Sequence, residues 1–161
     1  MRVLVACERS GVVRQAFRDR GHNAWSCDLE PADDGSDWHI CDDVREVLEE
    51  QWDLIIAHPD CTYLTNSGVR PLYKHPGKNY DRSKLYGVPR WKAMFDAAAF
   101  FRLFLEVSCP RVCVENPIPH RYARDLIRMD YTQIVQPWQF GHSAKKATGL
   151  WLKGLKPLRP T

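Results

Sequence analysis

The first thirty residues contain a complete strand–turn–helix–strand unit, and this limits the fold more than any other feature. Residues 2–6 form a short apolar run that stops at Cys7-Glu8-Arg9-Ser10-Gly11. Ser10 can cap a following helix whose apolar face is Val12, Val13, Ala16 and Phe17, and Gly21 can end that helix. Residues 23–27 then read as a second strand closing at Asp28. Two strands joined by a helix in so short a span imply a parallel sheet.

The rest of the chain continues this pattern. A brief strand at residues 39–41 precedes Asp42-Asp43 and a short helix over about residues 44–49. Residues 52–57 (Trp-Asp-Leu-Ile-Ile-Ala) are the clearest buried strand, stopped by His58-Pro59. Residues 61–89 have no sustained period and read as a long mobile loop, a length that inside a compact domain usually marks function. A strong helix follows over residues 90–107, then a strand at 111–114 ending in Glu115-Asn116-Pro117. A helix at 121–127 and strands at 132–135 and 149–152 complete the set. The expected fold is α/β, a single doubly wound, mostly parallel, Rossmann-like sheet formed by residues 1–153, with 154–161 a linker-like tail.

Composition agrees with one domain. At 161 residues, 44% hydrophobic and 27% charged, the chain can build a core without metal or disulfide staples. The best apolar stretch, residues 95–107, is interrupted by Asp96, Arg102 and Glu106, so no membrane crossing is expected. The six cysteines show no paired C-x-x-C clusters, which fits a reducing cytoplasm. Charge is unevenly placed. Residues 1–60 carry 6 basic and 14 acidic side chains, and residues 61–161 carry 17 and 6. A basic second part points to a polyanionic partner or to an uneven solvated surface.

In a doubly wound sheet the functional crevice lies beyond the carboxyl ends of the strands. Cys7-Glu8, Asp28, Asp43, residues 58–61 and Glu115-Asn116 all fall there. The first turn lacks G-x-G-x-x-G, which disfavours a pyrophosphate cofactor, whereas an adenosyl cofactor without phosphates needs only close backbone and a ribose carboxylate. Asp28 stands where that carboxylate would be. Asp43 either meets an adenine amino group or caps the helix at Val44. Cys61, on a strand end, is placed as a nucleophile, with a small packing cysteine as the other reading. His58 and Cys61 have zinc-ligand spacing, but no second pair completes a site, so no metal is expected. Glu115 follows an apolar strand that would favour its protonated, hydrogen-bond-donating form; alternatively it starts the next helix. Between Thr62 and Pro89, Arg70, Lys74, Lys78, Arg82 and Lys84 alternate with Tyr63, Tyr73, Tyr80 and Tyr86, a mixture suited to phosphate contacts and base stacking.

Taken in order, these pieces resemble the catalytic domain of the cytosine-5 DNA methyltransferases, in a short phage-type branch. The run from Val5 through Ala6, Cys7, Glu8, Arg9 and Ser10 to Gly11 is similar to the family's cofactor loop, with its paired glycines thinned. Asp28-Leu29 matches the ribose-binding acid, and Asp43-Val44 the Asp-Ile that meets adenine. Residues 53–61, ending His58-Pro59-Asp60-Cys61, look like the Pro-Pro-Cys strand and loop, with His58 and Pro59 on the cofactor side. Val114-Glu115-Asn116-Pro117 looks like Glu-Asn-Val. Residues 140–146, ending in Lys145-Lys146, stand where the family has Tyr-Gly-x-Pro-Gln and two arginines.

The resemblance implies S-adenosylmethionine as methyl donor and S-adenosylhomocysteine as product. It makes Cys61 the nucleophile on carbon-6 of cytosine and Glu115 the group at ring N3, with Asn116 holding Glu115 or the cysteine loop in place. Lys145 would contact the base and Lys146 the DNA backbone. The base must be flipped out of duplex DNA or presented single-stranded. Asp60 departs from the family by replacing its second proline, and no segment has the size of a target-recognition domain, so weak sequence specificity, or dependence on a partner, is expected. A weakly catalytic binding module, a free pyrimidine nucleotide as substrate and a modified methyl donor are the competing readings.

Overall fold

A computed structural model describes residues 1–73 and 84–161. Among these residues, seven strands form one sheet: β1 (Arg2–Ala6), β2 (Asn23–Asp28), β3 (His39–Cys41), β4 (Leu54–Ala57), β5 (Val112–Pro117), β6 (Gln133–Val135) and β7 (Thr148–Lys153). Their order is β3-β2-β1-β4-β5-β7-β6. The pairings from β3 through β5 are parallel, and β7 runs antiparallel between β5 and β6. The chain thus winds outward in both directions from β1 and β4, which places the switch in strand order beside the ends of those two strands.

Helices cover both faces. On one, the 20-residue α3 (Gly87–Glu106) buries Arg90, Met94, Ala98, Phe101 and Phe104, a stripe at helical spacing, of which Ala98, Phe101 and Phe104 join the core with Ile55, Val112, Val114 and Trp151. The short α2 (Arg70–Tyr73) precedes it, and α4 (Arg121–Ile127) packs alongside through Ala123 and Ile127. On the other face, α1 (Val12–Arg18) lays Val13 and Phe17 over Val3, Val5, Ala24 and Leu54. Among the described residues no helix is long and apolar enough to cross a membrane.

Three sequence expectations change. β5 runs through Glu115 and Asn116 to Pro117 because antiparallel β7 supplies partners as far as Thr148 opposite Pro117. Those two side chains therefore sit on a paired strand and not at a helix start. The expected helix over residues 44–49 is a single 3₁₀ turn, Val44–Glu46. The segment read as a mobile loop carries structure in its described parts, a 3₁₀ turn at Asn66–Gly68, then α2, and the first turn of α3. Its backbone is pinned at several points. Arg90 donates to the Thr62 carbonyl (2.9 Å), Trp91 Nε1 to that of Leu72 (3.1 Å), and the His120 amide to that of Leu64 (2.8 Å).

Residues 154–161 form no helix or strand, but they lie against the sheet. Leu155 packs on the α1 face, and Gln133 exchanges two 2.8 Å side-chain bonds with the Leu158 backbone. Gly154 adopts φ +62, and a Cβ there would collide with the Pro110 carbonyl, so only glycine lets the chain turn back over the sheet.

Candidate active site

Beyond the carboxyl ends of β1, β2 and β4 opens a cleft of about 370 Å³, the size range of small-ligand sites. Cys7, Asp28, Leu29, Asp43, Val44 and His58 line it, as the sequence places them. Asp28 Oδ1 accepts the Glu30 amide (3.1 Å), which fixes the turn after β2, and Leu29 stands largely exposed at the mouth. Asp43 Oδ1 accepts the Arg45 amide (3.0 Å), so the capping role read for it is realised, and Asp43 lines the cleft as well. Cys27, Asp42, Arg45, Asp60 and Phe100 complete the wall among the described residues. In the sequence Phe100 is one apolar position among several in the helix over residues 90–107. An apolar stripe looks the same in sequence whether it meets a core or a ligand cleft.

A second hollow of about 450 Å³, bordered by Glu8, Arg9, Ser10 and Asp33, shares Cys7 and His58 with the first. Cys7 sits in the left-handed region at φ +58, a conformation that strains any side chain but glycine's and turns the chain sharply off β1. Burial, then the neighbouring Asp28 carboxylate, pushes its thiol up to about 12, and the Cys27 thiol is pushed by the same causes to about 11. Both are neutral walls rather than nucleophiles at ordinary pH.

Glu8, and not Ser10, caps α1. Its buried carboxylate accepts the amides of Val13 (2.6 Å) and Arg14 (3.1 Å), while Ser10 Oγ donates to it at 3.3 Å and lies 3.4 Å from the Val12 amide. The left-handed turn at Gly11 (φ +71) brings Glu8 back across the helix start. The place where a phosphate would meet free helix amides is thus occupied by the protein's own carboxylate. Ala6 is fully buried in β1 and shapes the loop from beneath. Also unread in the sequence was Arg14. It is wholly buried, donates to Ser26 Oγ (2.9 Å) and pairs with Asp34, while Ser26 Oγ meets His39 Nδ1 at 2.8 Å. This network ties the segment after β2 to α1.

The most specific geometry lies between β4 and β5. Their register sets Ala57 beside Val114, so the next residues, His58 and Pro59, adjoin Glu115 and Asn116. Asn116, 1% exposed, donates from Nδ2 to the Pro59 carbonyl at 2.7 Å. His58 Nδ1 lies 3.2 Å from Glu115 Oε2, with the two side chains 29% and 31% exposed. Glu115 therefore faces an imidazole, where apolar neighbours had been expected. Cys61 follows directly as a half-buried free thiol, its carbonyl accepting the amides of Leu64 (3.0 Å) and Thr65 (3.2 Å). Asp60 Oδ1 accepts both the amide (2.9 Å) and the hydroxyl (2.7 Å) of Thr62, closing the turn around the cysteine.

Lys145 and Lys146 are exposed in the segment entering β7, whose first residue pairs with Pro117, so they stand on the rim that carries Glu115 and Asn116. Arg70 opens α2 and Lys84 is exposed before α3, while Lys74, Lys78 and Arg82 lie outside the described residues.

No protein-family model matches the sequence, and no curated protein matches it. Among solved structures, a predicted DNA modification methyltransferase encoded within a prophage of E. coli is similar, with TM-score 0.55 and 14% identity over 94% of this chain and 46% of its own. WbdD, co-crystallised with a kinase inhibitor, is similar at TM-score 0.48 and 13% identity over 98% of this chain and 37% of its own, a likeness too weak to carry weight. The chain spans less than half the length of either. What the prophage protein shares with it is the fold, a single, mostly parallel, Rossmann-like α/β sheet.

Proposed function

We propose that the chain transfers a methyl group from S-adenosylmethionine to carbon-5 of cytosine in DNA through a covalent adduct with Cys61. The observation that carries this reading is the join between β4 and β5. Asn116 and Glu115 bond to Pro59 and His58, so the strand end leading to Cys61 is fixed against the strand that presents Glu115.

The paired clefts suit a phosphate-free adenosyl ligand. Asp28 and Asp43 offer carboxylates for ribose hydroxyls and a base amino group, Phe100 and Val44 offer apolar walls, and Glu8 leaves no free helix amides for a pyrophosphate. Among the described residues, four carboxylates, Asp28, Asp42, Asp43 and Asp60, line the first cleft against the one guanidinium of Arg45. This charge favours a cationic sulfonium and opposes a donor bearing an extra carboxylate, which supports a plain methyl group. When bound, S-adenosylmethionine supplies the electrophilic methyl.

Carbon-5 of cytosine is a poor nucleophile. Addition of the Cys61 thiolate to carbon-6 makes the ring an enamine whose carbon-5 can take the methyl group. Glu115 stabilises the charge that builds on the ring at N3, Asn116 holds the turn that aims the thiolate, and Lys145 contacts the base. Once a base removes the carbon-5 proton, the thiolate leaves. The description of the fold neighbour as a DNA modification methyltransferase supports DNA as the substrate, as does the basic second part of the chain, with Arg70, Lys74, Lys78, Arg82, Lys84 and Lys146 on the phosphates. The cytosine must be flipped out or presented single-stranded.

The test supplies labelled S-adenosylmethionine with DNA and, separately, with dCMP. Label in DNA, and a covalent adduct with 5-fluorocytosine DNA that is lost in Cys61→Ser, is the expected result. An adduct that survives Cys61→Ser overturns the nucleophile. Label on dCMP alone moves the substrate to a free nucleotide, and binding without transfer reduces the chain to a binding module.

A further inference from the structure

Past Asp130 the chain has no acidic residue: residues 131–161 carry Lys145, Lys146, Lys153, Lys156 and Arg159 but neither Asp nor Glu. Within this segment a 3₁₀ turn, Pro137–Phe140, follows β6 and carries Trp138, 56% exposed, and Phe140, 36% exposed. We propose that Trp138 is a stacking platform for bases of an unpaired DNA strand beside the reacting cytosine; the choice of DNA rests on the methyl-transfer reading above.

Each of the other five tryptophans packs on a ring or under a guanidinium. Trp25 meets Trp38, Trp52 lies under Arg2, Trp91 meets Tyr73 and Tyr122, and Trp151 meets Phe101. Among the described residues Trp138 has no such partner, and its indole stands in water. The turn that carries it is nevertheless stiff, although it contributes no residue to the core. Pro137 fixes its first residue, the Gln136 amide donates to Gln139 Oε1 (2.7 Å), and the Gln139 amide donates to the Gln136 carbonyl (3.0 Å). At the far end Gly141 takes φ +82 and the His142 amide donates to the Pro137 carbonyl (3.2 Å). The Thr161 amide donates to the Gln139 carbonyl (3.0 Å), which ties the chain end to the turn. A stiff turn that holds an aromatic ring outward is organised in advance for a ligand, because little freedom is left to lose on binding.

Position joins the turn to the proposed site. β5 and β6 both run antiparallel to β7, so their carboxyl ends open on one rim. Val135 lies opposite Thr148, and Thr148 opposite Pro117, which separates the two ends by two strand spacings, about 10 Å. That is roughly the span of three stacked nucleotides. Exposed Lys145 and Lys146 stand on the segment that leads from the turn to β7. A nucleic-acid strand supplies both complements, phosphates for the ammonium groups and flat faces for the indole. Inside a duplex each base is already stacked on its neighbours, so the strand that meets Trp138 is unpaired.

Binding of a fluorescein-labelled single strand containing one cytosine, read by anisotropy without methyl donor, tests this. Wild type is compared with Trp138→Ala, Trp138→Leu and Trp138→Phe. A ring-to-base stack corresponds to about a 5- to 100-fold change in Kd, so Ala and Leu should each weaken binding at least about 5-fold. Phe keeps an aromatic face and should stay within about 3-fold of wild type. No charge is removed, so the slope of log Kd against log salt should not change. A duplex of the same sequence should bind wild type and Trp138→Ala alike. Melting within about 2 °C of wild type is expected for a residue outside the core, and if Ala melts early the Leu and Phe pair carries the comparison. Leu binding as tightly as wild type, a changed salt slope or an equal loss on duplex DNA overturns the proposal. So does a wild type that binds no single strand. The same strands with labelled S-adenosylmethionine separate this inference from the reaction. Aromatic-dependent binding without transfer of label keeps the platform as a DNA site and removes the reaction. Transfer of label with every Trp138 variant binding as wild type removes the platform and keeps the reaction.

Discussion

Removing the amide of Asn116 should damage stability and methyl transfer together. The side chain is 1% exposed, and its Nδ2 donates to the Pro59 carbonyl at 2.7 Å, between the strand that presents Glu115 and the turn that holds Cys61. Asn116→Ala leaves that carbonyl without its donor, at a cost of about 2–3 kcal/mol. For a chain of this length each kcal/mol lowers Tm by about 2–4 °C, so the expected drop is about 4–12 °C by circular dichroism or scanning calorimetry. Because the thiol loses its alignment, kcat for transfer should fall at least about 10-fold below the melt, with donor binding nearly unchanged. Asn116→Asp sharpens the test. A carboxylate facing a buried carbonyl is repelled and desolvated, so the folded state raises its pKa above the unfolded value. Its stability is then fully present below the unfolded value and is lost as pH rises through the folded one. The gap to wild type should therefore be widest near pH 8 and narrow toward pH 5. A variant that melts within about 1 °C of wild type at pH 8 with normal kcat would show that the bond positions nothing, since even a modest hydrogen bond exceeds that limit.

Other substitutions probe the clefts and the loop that shapes them. Gly11→Ala forces a side chain into φ +71, 2.8 Å from Asp34 Oδ2 and in collision with the buried Arg14 guanidinium. It should cost about 3–4 kcal/mol in urea unfolding, and a loss below about 1 kcal/mol would show that Arg14 yields easily. Asp28→Asn should weaken S-adenosylmethionine binding about 10- to 100-fold by calorimetric titration, the worth of one charged hydrogen bond, and an unchanged Kd would move the ribose elsewhere. Cys7, Cys27 and Cys113, with thiols held at about 12, 11 and 11, should resist iodoacetamide at pH 8 in the native protein, as read by peptide mass spectrometry. Since their folded pKa values are raised, they favour the folded state below pH 9, and that contribution disappears as pH climbs from about 9 to 12. Cys7→Ala should flatten this alkaline loss of stability.

Phe100 and His58 show how far a linear reading reaches. The spacing of α3 identifies Phe100 as apolar and inward, yet only the fold, which brings it to the same cleft as Cys7, Asp28 and Val44, makes it a cleft wall. His58-Pro59 reads as a strand stop, and nothing nearby in sequence announces that the imidazole meets a carboxylate 57 residues away. Ser10 was the natural cap by residue type, but Glu8 takes the helix amides because the turn at Gly11 folds it back.

The order of the seven strands, and the places of α1, α3 and α4 among them, were determined by sequence alone. Apolar period and turn chemistry act over a few residues and need no distant partner. Tertiary structure decided the rest. The extension of β5 through Asn116 depended on β7 arriving antiparallel, and the burial of Arg14 depended on Ser26 and Asp34 closing around it. The return of residues 154–161 to the sheet depended on Gln133. Each of these contacts joins chain segments whose sequences do not influence one another until they meet, which is why no local pattern encodes it.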